Sequence, residues 1–341
     1  MFEYKLNLQL FAELNTQTTL LNADGNSLSA EMKTFYDMTL IDEASAQLVH
    51  DQFGQKRPIP ANGGKTIEFR KFSSLPKATT ALTEGVTPNG NKLNVSAITA
   101  TVSQYGDYIV QSDILELTAL DNTILEATKI LGKQAGLTLD TVVRNVLIAG
   151  TNVNYCPKVA DGVETAVTTR NGLDATAKLT VKQIQKAVAK LRANNAPTIN
   201  GDYVAIIHPY VAYDLMRDPE WIEAHKYAQP ENLYVGEIGK VSGVRFVQSS
   251  EAAILKDSTC PTNLAVFCTL IFGEGAYGVT EITGGGLQTI VKQKGSAGTA
   301  DPLDQRSSVG WKALKTAERL VENYMIRLES CGDFSASAIA N

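Results

Sequence analysis

The chain has 341 residues, 44% of them hydrophobic, enough for at least one large core and too many for a disordered polymer. Its formal net charge is -5, so the field of the whole chain repels polyphosphate and anionic membrane, and any nucleic-acid contact must be local. Cys156, Cys260, Cys268 and Cys331 stand far apart without a CxxC pair, which argues against a disulfide framework or a zinc site and fits a reducing cytoplasm.

In chain order, Met1-Phe2-Glu3-Tyr4-Lys5-Leu6 is followed by Asn7, Gln9 and Glu13, which interrupt any apolar run, so it does not read as a secretion signal. No stretch of about 18 uncharged apolar residues predicts a membrane span. Residues 1–62 read as an extended arm with one amphipathic helix over about Ala30–Phe53, its stripe formed by Phe35, Met38, Ile41, Leu48 and Val49. Arg57-Pro58-Ile59-Pro60-Ala61-Asn62-Gly63-Gly64 ends regular structure, because neither proline donates a backbone N–H and the glycines invite a turn.

Lys65–Phe72 alternates Ile67 and Phe69 against Thr66, Glu68 and Arg70, the period-two pattern of a strand with one apolar face. Pro76, Gly85, Pro88 and Asn89-Gly90 then make Ser73–Lys92 turn-rich, which predicts a long two-stranded excursion over residues 63–93. An isolated hairpin is marginal in water, so Ile67, Phe69, Arg70 and Lys71 are the expected contact residues to a neighbouring subunit. A long strand over Leu93–Ser112, bent near Gly106, leads to a helix over about 121–149 with Asp121 as N-cap and Gly150 as the C-terminal glycine.

Residues 151–178 read as loop and short strands. Thr180-Val181-Lys182-Gln183 is a capping box opening a helix, followed by a buried strand at Tyr203–His208, a helix over Tyr210–Met216 ending near Asp218-Pro219, and strands at Val244–Val247 and Ala265–Phe272. The last region is ambiguous between the two periods and is read as a helix through Trp311, Leu314 and Val321, then a strand through Tyr324, Ile326 and Leu328, then a tail at Ser335–Ala338 with little to pack. Trp311 is expected to be buried.

Gly273-Glu274-Gly275-Ala276-Tyr277-Gly278 is a literal GxGxxG after a strand, but its continuation Val279-Thr280-Glu281-Ile282-Thr283 is β-branched. A dinucleotide site needs a helix there, its N-terminus facing the pyrophosphate, so a glycine-rich turn between strands is expected instead. His50, His208 and His225 show no metal-ligand spacing, and neither a GxSxG elbow nor a P-loop occurs. No catalytic, cofactor-binding or metal residue is therefore assigned. Lys65, Arg70, Lys71 and Lys77 beside Phe69 and Phe72 imitate a nucleic-acid platform, but in an acidic chain they read better as a solvated or subunit-contacting arm.

Thr83-Glu84-Gly85-Val86-Thr87-Pro88, the strand through Val102 and Tyr108-Ile109-Val110-Gln111-Ser112-Asp113, and the helix ending Val146-Leu147-Ile148-Ala149-Gly150 together resemble tailed-bacteriophage major capsid proteins. Gly236-Glu237-Ile238-Gly239-Lys240-Val241-Ser242-Gly243-Val244 and Asp301–Lys312 resemble stretches of the phage N4-type major capsid family, so that the likeness covers about residues 60–330.

The resemblance implies an α+β chain of the Hong Kong 97-type fold. It would have an N-arm at 1–62, an E-loop hairpin at 63–93, a peripheral domain at 94–175 with a spine helix at about 121–149, an axial domain at 176–297, a return to the peripheral domain at 298–334 and a tail at 335–341. It further implies pentamers and hexamers in an icosahedral shell around double-stranded DNA, built in the bacterial host cytoplasm with a portal and with scaffolding or decoration proteins, without cofactor or membrane. Many relatives lose a long charged N-terminal segment; only a short arm stands before this hairpin, so an uncleaved chain is expected. An encapsulin-like compartment is the alternative within the fold, and a nucleotide-dependent enzyme the alternative outside it.

Overall fold

The computed structural model describes residues 30–45, 47–72, 75, 77–82, 84–85, 87, 89–118, 123–226, 239–296 and 301–341, with the side chains of 30–35, 72, 116–118 and 224–226 not described. In chain order the elements are α1 (Ala30–Ser45), β1 (Gln55–Lys56), β2 (Thr66–Phe72), β3 (Val95–Thr101), β4 (Ser103–Ser112), α2 (Asp113–Thr118), α3 (Thr123–Ile148), β5 (Val153–Tyr155), β6 (Lys158–Ala160) and β7 (Val163–Thr165). There follow α4 (Val181–Ala193), β8 (Tyr203–Ile207), α5 (Pro209–Met216), α6 (Pro219–Lys226), β9 (Lys240–Val241), β10 (Val244–Gln248), β11 (Ile254–Leu255), β12 (Val266–Phe272), β13 (Tyr277–Glu281), β14 (Gln288–Lys292), β15 (Arg306–Arg319) and β16 (Met325–Ser330). The chain forms two compact units, the first from residues 1–46, 105–136 and 287–313 and the second from 47–104, 137–286 and 314–341.

In the first unit, α1 buries Tyr36, Leu40 and Ala44, one residue every four and hence one helix face. The expected stripe is thereby corrected: Met38 is 62% exposed, Ile41 is exposed too, and the helix ends at Ser45 well before Leu48 and Val49. At 3.6 residues per turn the expected stripe lies nearly opposite the buried one, about 160° around the helix, because Leu40 and Ala44 were outranked by larger neighbours. The first half of α3 buries Ala127, Leu131 and Ala135 on the same i, i+4 spacing. β14 pairs antiparallel with the first part of β15, Gln288 opposite Lys312 through Lys292 opposite Ser308. Trp311 is 3% exposed there, its indole Nε1 donating to Gln134 Oε1 at 3.3 Å, and the Gln134 amide donates in turn to Asp107.

The second unit is built on a mixed seven-stranded sheet of order β5-β16-β12-β8-β10-β9, with β11 beside β12. Every residue of β8 and β12 is buried, so these strands read as unbroken apolar runs rather than alternating ones. Alternation is still present as a division between two cores. Tyr203, Ala205, Ile207, Phe267 and Ile271 face one that holds Ile184, Val188 and Leu191 of α4, Val211 and Leu215 of α5, and Trp221 of α6. Val204, Ile206, Leu270 and Phe272 face the other, with Val143 and Leu147 of α3, Tyr277 and Val279 of β13, and Ala317 of β15.

Several sequence expectations change. Residues 306–319 are a strand, not a helix: Ser307, Val309, Trp311, Ala313, Lys315 and Ala317 are buried at every second position, with only Gly310 buried between them. Lys315 sat on the apolar face and hid this period, and it is tolerated because Asp51 pairs with it at 3.0 Å. The single strand expected over 93–112 is broken at the buried Val102, whose N–H donates to the Lys65 carbonyl, rather than at Gly106. Thr180 is the N-cap of α4, but its side chain makes no cap bond; Asp218 accepts from Val181 N at 2.8 Å instead, from 37 residues away. The helix expected to end near Asp218-Pro219 does so, α5 stopping at Met216, and Pro219 then opens α6 as its first residue. The tail packs after all, with Ala338 and Ser335 buried and Asn341 bonding Ile254 N, Ser250 O and Ala252 O. The expected cap Asp121 and residues 236–238 lie outside the described residues.

The C-terminal end of α3 is held from β15. Arg319 donates to the Val146 carbonyl at 2.6 Å and to Glu322 at 3.0 Å, and Glu322 accepts from the backbone N–H groups of Thr151 and Asn152. Partial burial pushes the Glu322 carboxyl up, but these N–H bonds and Arg319 outweigh it and hold it below the usual glutamate value. A lowered folded pKa gives stability that is present above the ordinary value near 4.5 and lost as pH falls through the folded one. Glu322→Gln should therefore cost about 1 kcal/mol at neutral pH in urea unfolding, and the gap from wild type should close below pH 4; a gap independent of pH would contradict it. Trp311→Ala should cost about 3–5 kcal/mol in the same measurement, and an unchanged midpoint would show that the indole is not packed.

Candidate functional site

Residues 273–276 join β12 to β13, and the last two residues of the GxGxxG open β13, so the motif runs strand to strand and opens no helix, as its β-branched continuation predicts. Each glycine has a local cause. Gly273 lies against the Pro197 carbonyl, Gly275 has φ +70°, and a Cβ at Gly278 would stand 2.7 Å from the Phe69 ring.

The titratable groups are spent on structure. His50 and Asp140 are wholly buried and meet at 2.7 Å, and Asp140 also accepts from Val49 N and His50 N. Tyr277 Oη donates to the His50 carbonyl, which fastens residues 49–51 beside β13. His208 accepts from Tyr210 N as N-cap of α5, and its burial holds its pKa below the usual imidazole value. His225 lies in α6. Glu329, buried in β16, receives Arg170 through Nε and Nη2, both at 2.7 Å, and Arg327 at 2.9 Å. All four cysteines are free and buried; desolvation pushes the Cys156 and Cys268 thiols up to about 12 and Cys331 to about 11, and it raises Cys260 as well. Thiols so placed supply no thiolate near neutral pH. Among the described residues no group of three or more His, Cys, Asp or Glu side chains could hold a metal, and no helix is long and apolar enough to cross a membrane.

The expected contact residues lie on β2, paired antiparallel with β3 from Thr66 opposite Thr101 to Phe72 opposite Val95. The structure separates them. Phe69 is 3% exposed, packed on Gly278 of β13 with the Arg57 guanidinium 5.9 Å from the ring centre. It therefore anchors the hairpin to its own chain, which corrects its assignment to a neighbour. Ile67, opposite the buried Ala100, and Lys71 are half-buried, and Arg70 is exposed. The unsatisfied apolar surface lies further out, at Leu75, Leu82, Leu93 and Val95, of which Leu82 is 78% exposed. Sequence reading missed these residues because they follow no period through a turn-rich stretch; four large side chains between turn residues were the available signal.

A cavity of about 820 Å³ lies in the second unit between residues 52–55, the turn at Ile199–Asp202, Arg245 and Val247 of β10, and Glu274-Gly275. Its apolar lining is Phe53, Ile199, Val204 and Val247, and its charged groups are Asp202, Arg245 and Glu274. The Asp202 carboxylate is already paired with Lys240 at 2.7 Å.

No curated protein sequence matches the chain. The fold is similar to the capsid structure of Cyanophage P-SCSP1u, at TM-score 0.64 and 16% identity, covering 84% of this chain and 89% of that one. The capsid of Ralstonia phage GP4 is similar at TM-score 0.62 and 12% identity over 84% and 88% of the two chains. The Cyanophage Pam1 capsid is similar at TM-score 0.61 and 12% identity over 98% and 100%. Residues 95–317, from the first residue of β3 into β15, match the family model described as phage capsid protein. Because that match spans more than half of the sequence, the chain belongs to the phage capsid protein family.

Proposed function

We propose that this phage capsid protein is a major capsid protein of the Hong Kong 97-type fold, close to the phage N4-type family, and that it assembles through pentamers and hexamers into an icosahedral shell around double-stranded DNA. The observation that carries this reading is a hairpin anchored to its own chain at Phe69 whose outer leucines have no cover within that chain. Apolar groups of that size gain about 1.5–3 kcal/mol each on burial, and a closed shell repeats the gain at every copy.

On this reading residues 1–62 are the N-arm, 63–93 the E-loop, 94–175 and 298–334 the peripheral domain with α3 as its spine, 176–297 the axial domain and 335–341 the tail. Arg70, with the half-buried Ile67 and Lys71, borders the contact, and Leu75, Leu82, Leu93 and Val95 form its centre. The shell is built in the bacterial host cytoplasm with a portal, with scaffolding or decoration proteins as further partners. It does no chemistry, so chelators, reductants and nicotinamide cofactors should leave its melting temperature unchanged.

Electron microscopy of the purified protein should show closed polyhedra, and their absence under all assembly conditions would refute the proposal. Co-purification of an enzyme cargo inside them, in place of DNA, would favour the encapsulin-like compartment. Two variants separate anchor from contact. Phe69→Ala should lose about 3–5 kcal/mol of subunit stability in urea unfolding. Leu82→Ser with Leu93→Ser should leave that stability within about 0.5 kcal/mol of wild type yet abolish fast-sedimenting particles; particles of normal yield would move the contact elsewhere.

A further inference from the structure

The exposed face of α4 carries Lys182, Lys186, Lys190 and Arg192, interspersed with Gln185, Ala189 and Ala193, while Ile184, Ala187, Val188 and Leu191 fill the core behind it. No acidic residue occurs in this helix, although the whole chain is at -5. Lysines at i, i+4 and i+8 share one side and recur about every 6 Å along the axis.

Helix stability does not account for this face. Lys190 and Arg192 suit the negative end of the helix dipole, but Lys182 lies in the first turn, where cations are disfavoured, and Lys186 lies mid-helix, where the dipole gives it nothing. Glu164 of β7 neutralises Lys182 at 2.9 Å, and the side-chain oxygens of Asn152 and Asn154 hold the Lys190 ammonium without removing its charge. Lys186 and Arg192 have no ion-pair partner among the described residues. About three positive charges thus remain on an exposed face that lacks aromatic, methionine and leucine side chains. The cores of protein–protein interfaces are depleted in lysine and enriched in aromatics, methionine and arginine, whereas phosphate backbones are met by this kind of basic, featureless surface.

We propose that the outer face of α4 is a sequence-independent phosphate-contacting surface that meets the packaged double-stranded DNA on the inside of the shell. This rests on the shell reading above. Lysine acylation of intact particles, followed residue by residue with mass spectrometry, tests it by comparing DNA-filled particles with the same particles emptied of DNA. Lys186 and Lys190 should react at least about three-fold more slowly in filled particles, and the difference should vanish in about 1 M salt, where screening acts within ~3 Å. The remaining lysines should keep their rates. Equal rates at Lys186 and Lys190 in filled and emptied particles would overturn the inference, whether both are fast, as on an outer surface, or both slow, as under another protein. Failure to obtain any particle would instead sink the shell reading itself. As a second arm, Lys186→Glu with Lys190→Glu, which leaves the Lys182–Glu164 pair intact, should form particles that release DNA at lower temperature. Particles of unchanged release temperature would overturn the proposal, and if this variant does not assemble, the wild-type labelling decides alone.

Discussion

The two-sided burial of β8 and β12 is the constraint on which the second unit depends. Each strand contributes one set of side chains to the core under α4, α5 and α6 and the alternate set to the core under α3 and β13. A strand so placed offers no solvated face, and a one-residue slip would exchange the two sets and misfill both cores. The register of β12 on β16 and of β8 on β10 is thus fixed by volume as well as by hydrogen bonds.

Charge inside the second unit is organised around this sheet and not against it. Glu329 emerges from the buried β16, where the Arg170 guanidinium bonds both its oxygens and Arg327 adds a second positive charge beside it; Asp140 on α3 is satisfied by His50 and two backbone N–H groups; Asp51 meets Lys315. Removing one partner from such a pair leaves a buried charge with no compensation, which is why buried pairs behave as locks on geometry. They also occupy the residues that a catalytic reading would have wanted, the histidine and carboxylates, in roles that hold segments together. What the subunit leaves over is surface: the outer hairpin leucines and the basic face of α4. On the proposed reading, function belongs to those surfaces and not to a cleft.

The sequence by itself determined whatever was encoded within a few residues. The length of α3, the α4 register, the apolar runs of β8, β10 and β12, and the strand after the GxGxxG all follow from local period and turn chemistry, and each appears where that chemistry puts it. The hairpin over β2 and β3 was legible for the same reason, since alternation and turn residues are short-range signals.

Only the tertiary structure decided which apolar residues face inward and what each hydrogen-bonding group meets. Phe69 looked like a contact for another copy because its partner, Gly278, is more than 200 residues away and leaves no trace in the local pattern. Residues 306–319 looked helical because Lys315 broke the strand period, and only the pairing with Asp51 makes a lysine acceptable on that face. Asp218, and not the N-cap residue Thr180, supplies the side-chain bond to the start of α4, and Tyr36 and Leu40 supplanted Met38 and Ile41 as the inner face of α1, by the same mechanism. Local propensity differs between such alternatives by a fraction of a kcal/mol, whereas burying one large side chain or satisfying one buried charge is worth several, so the packed structure makes the choice.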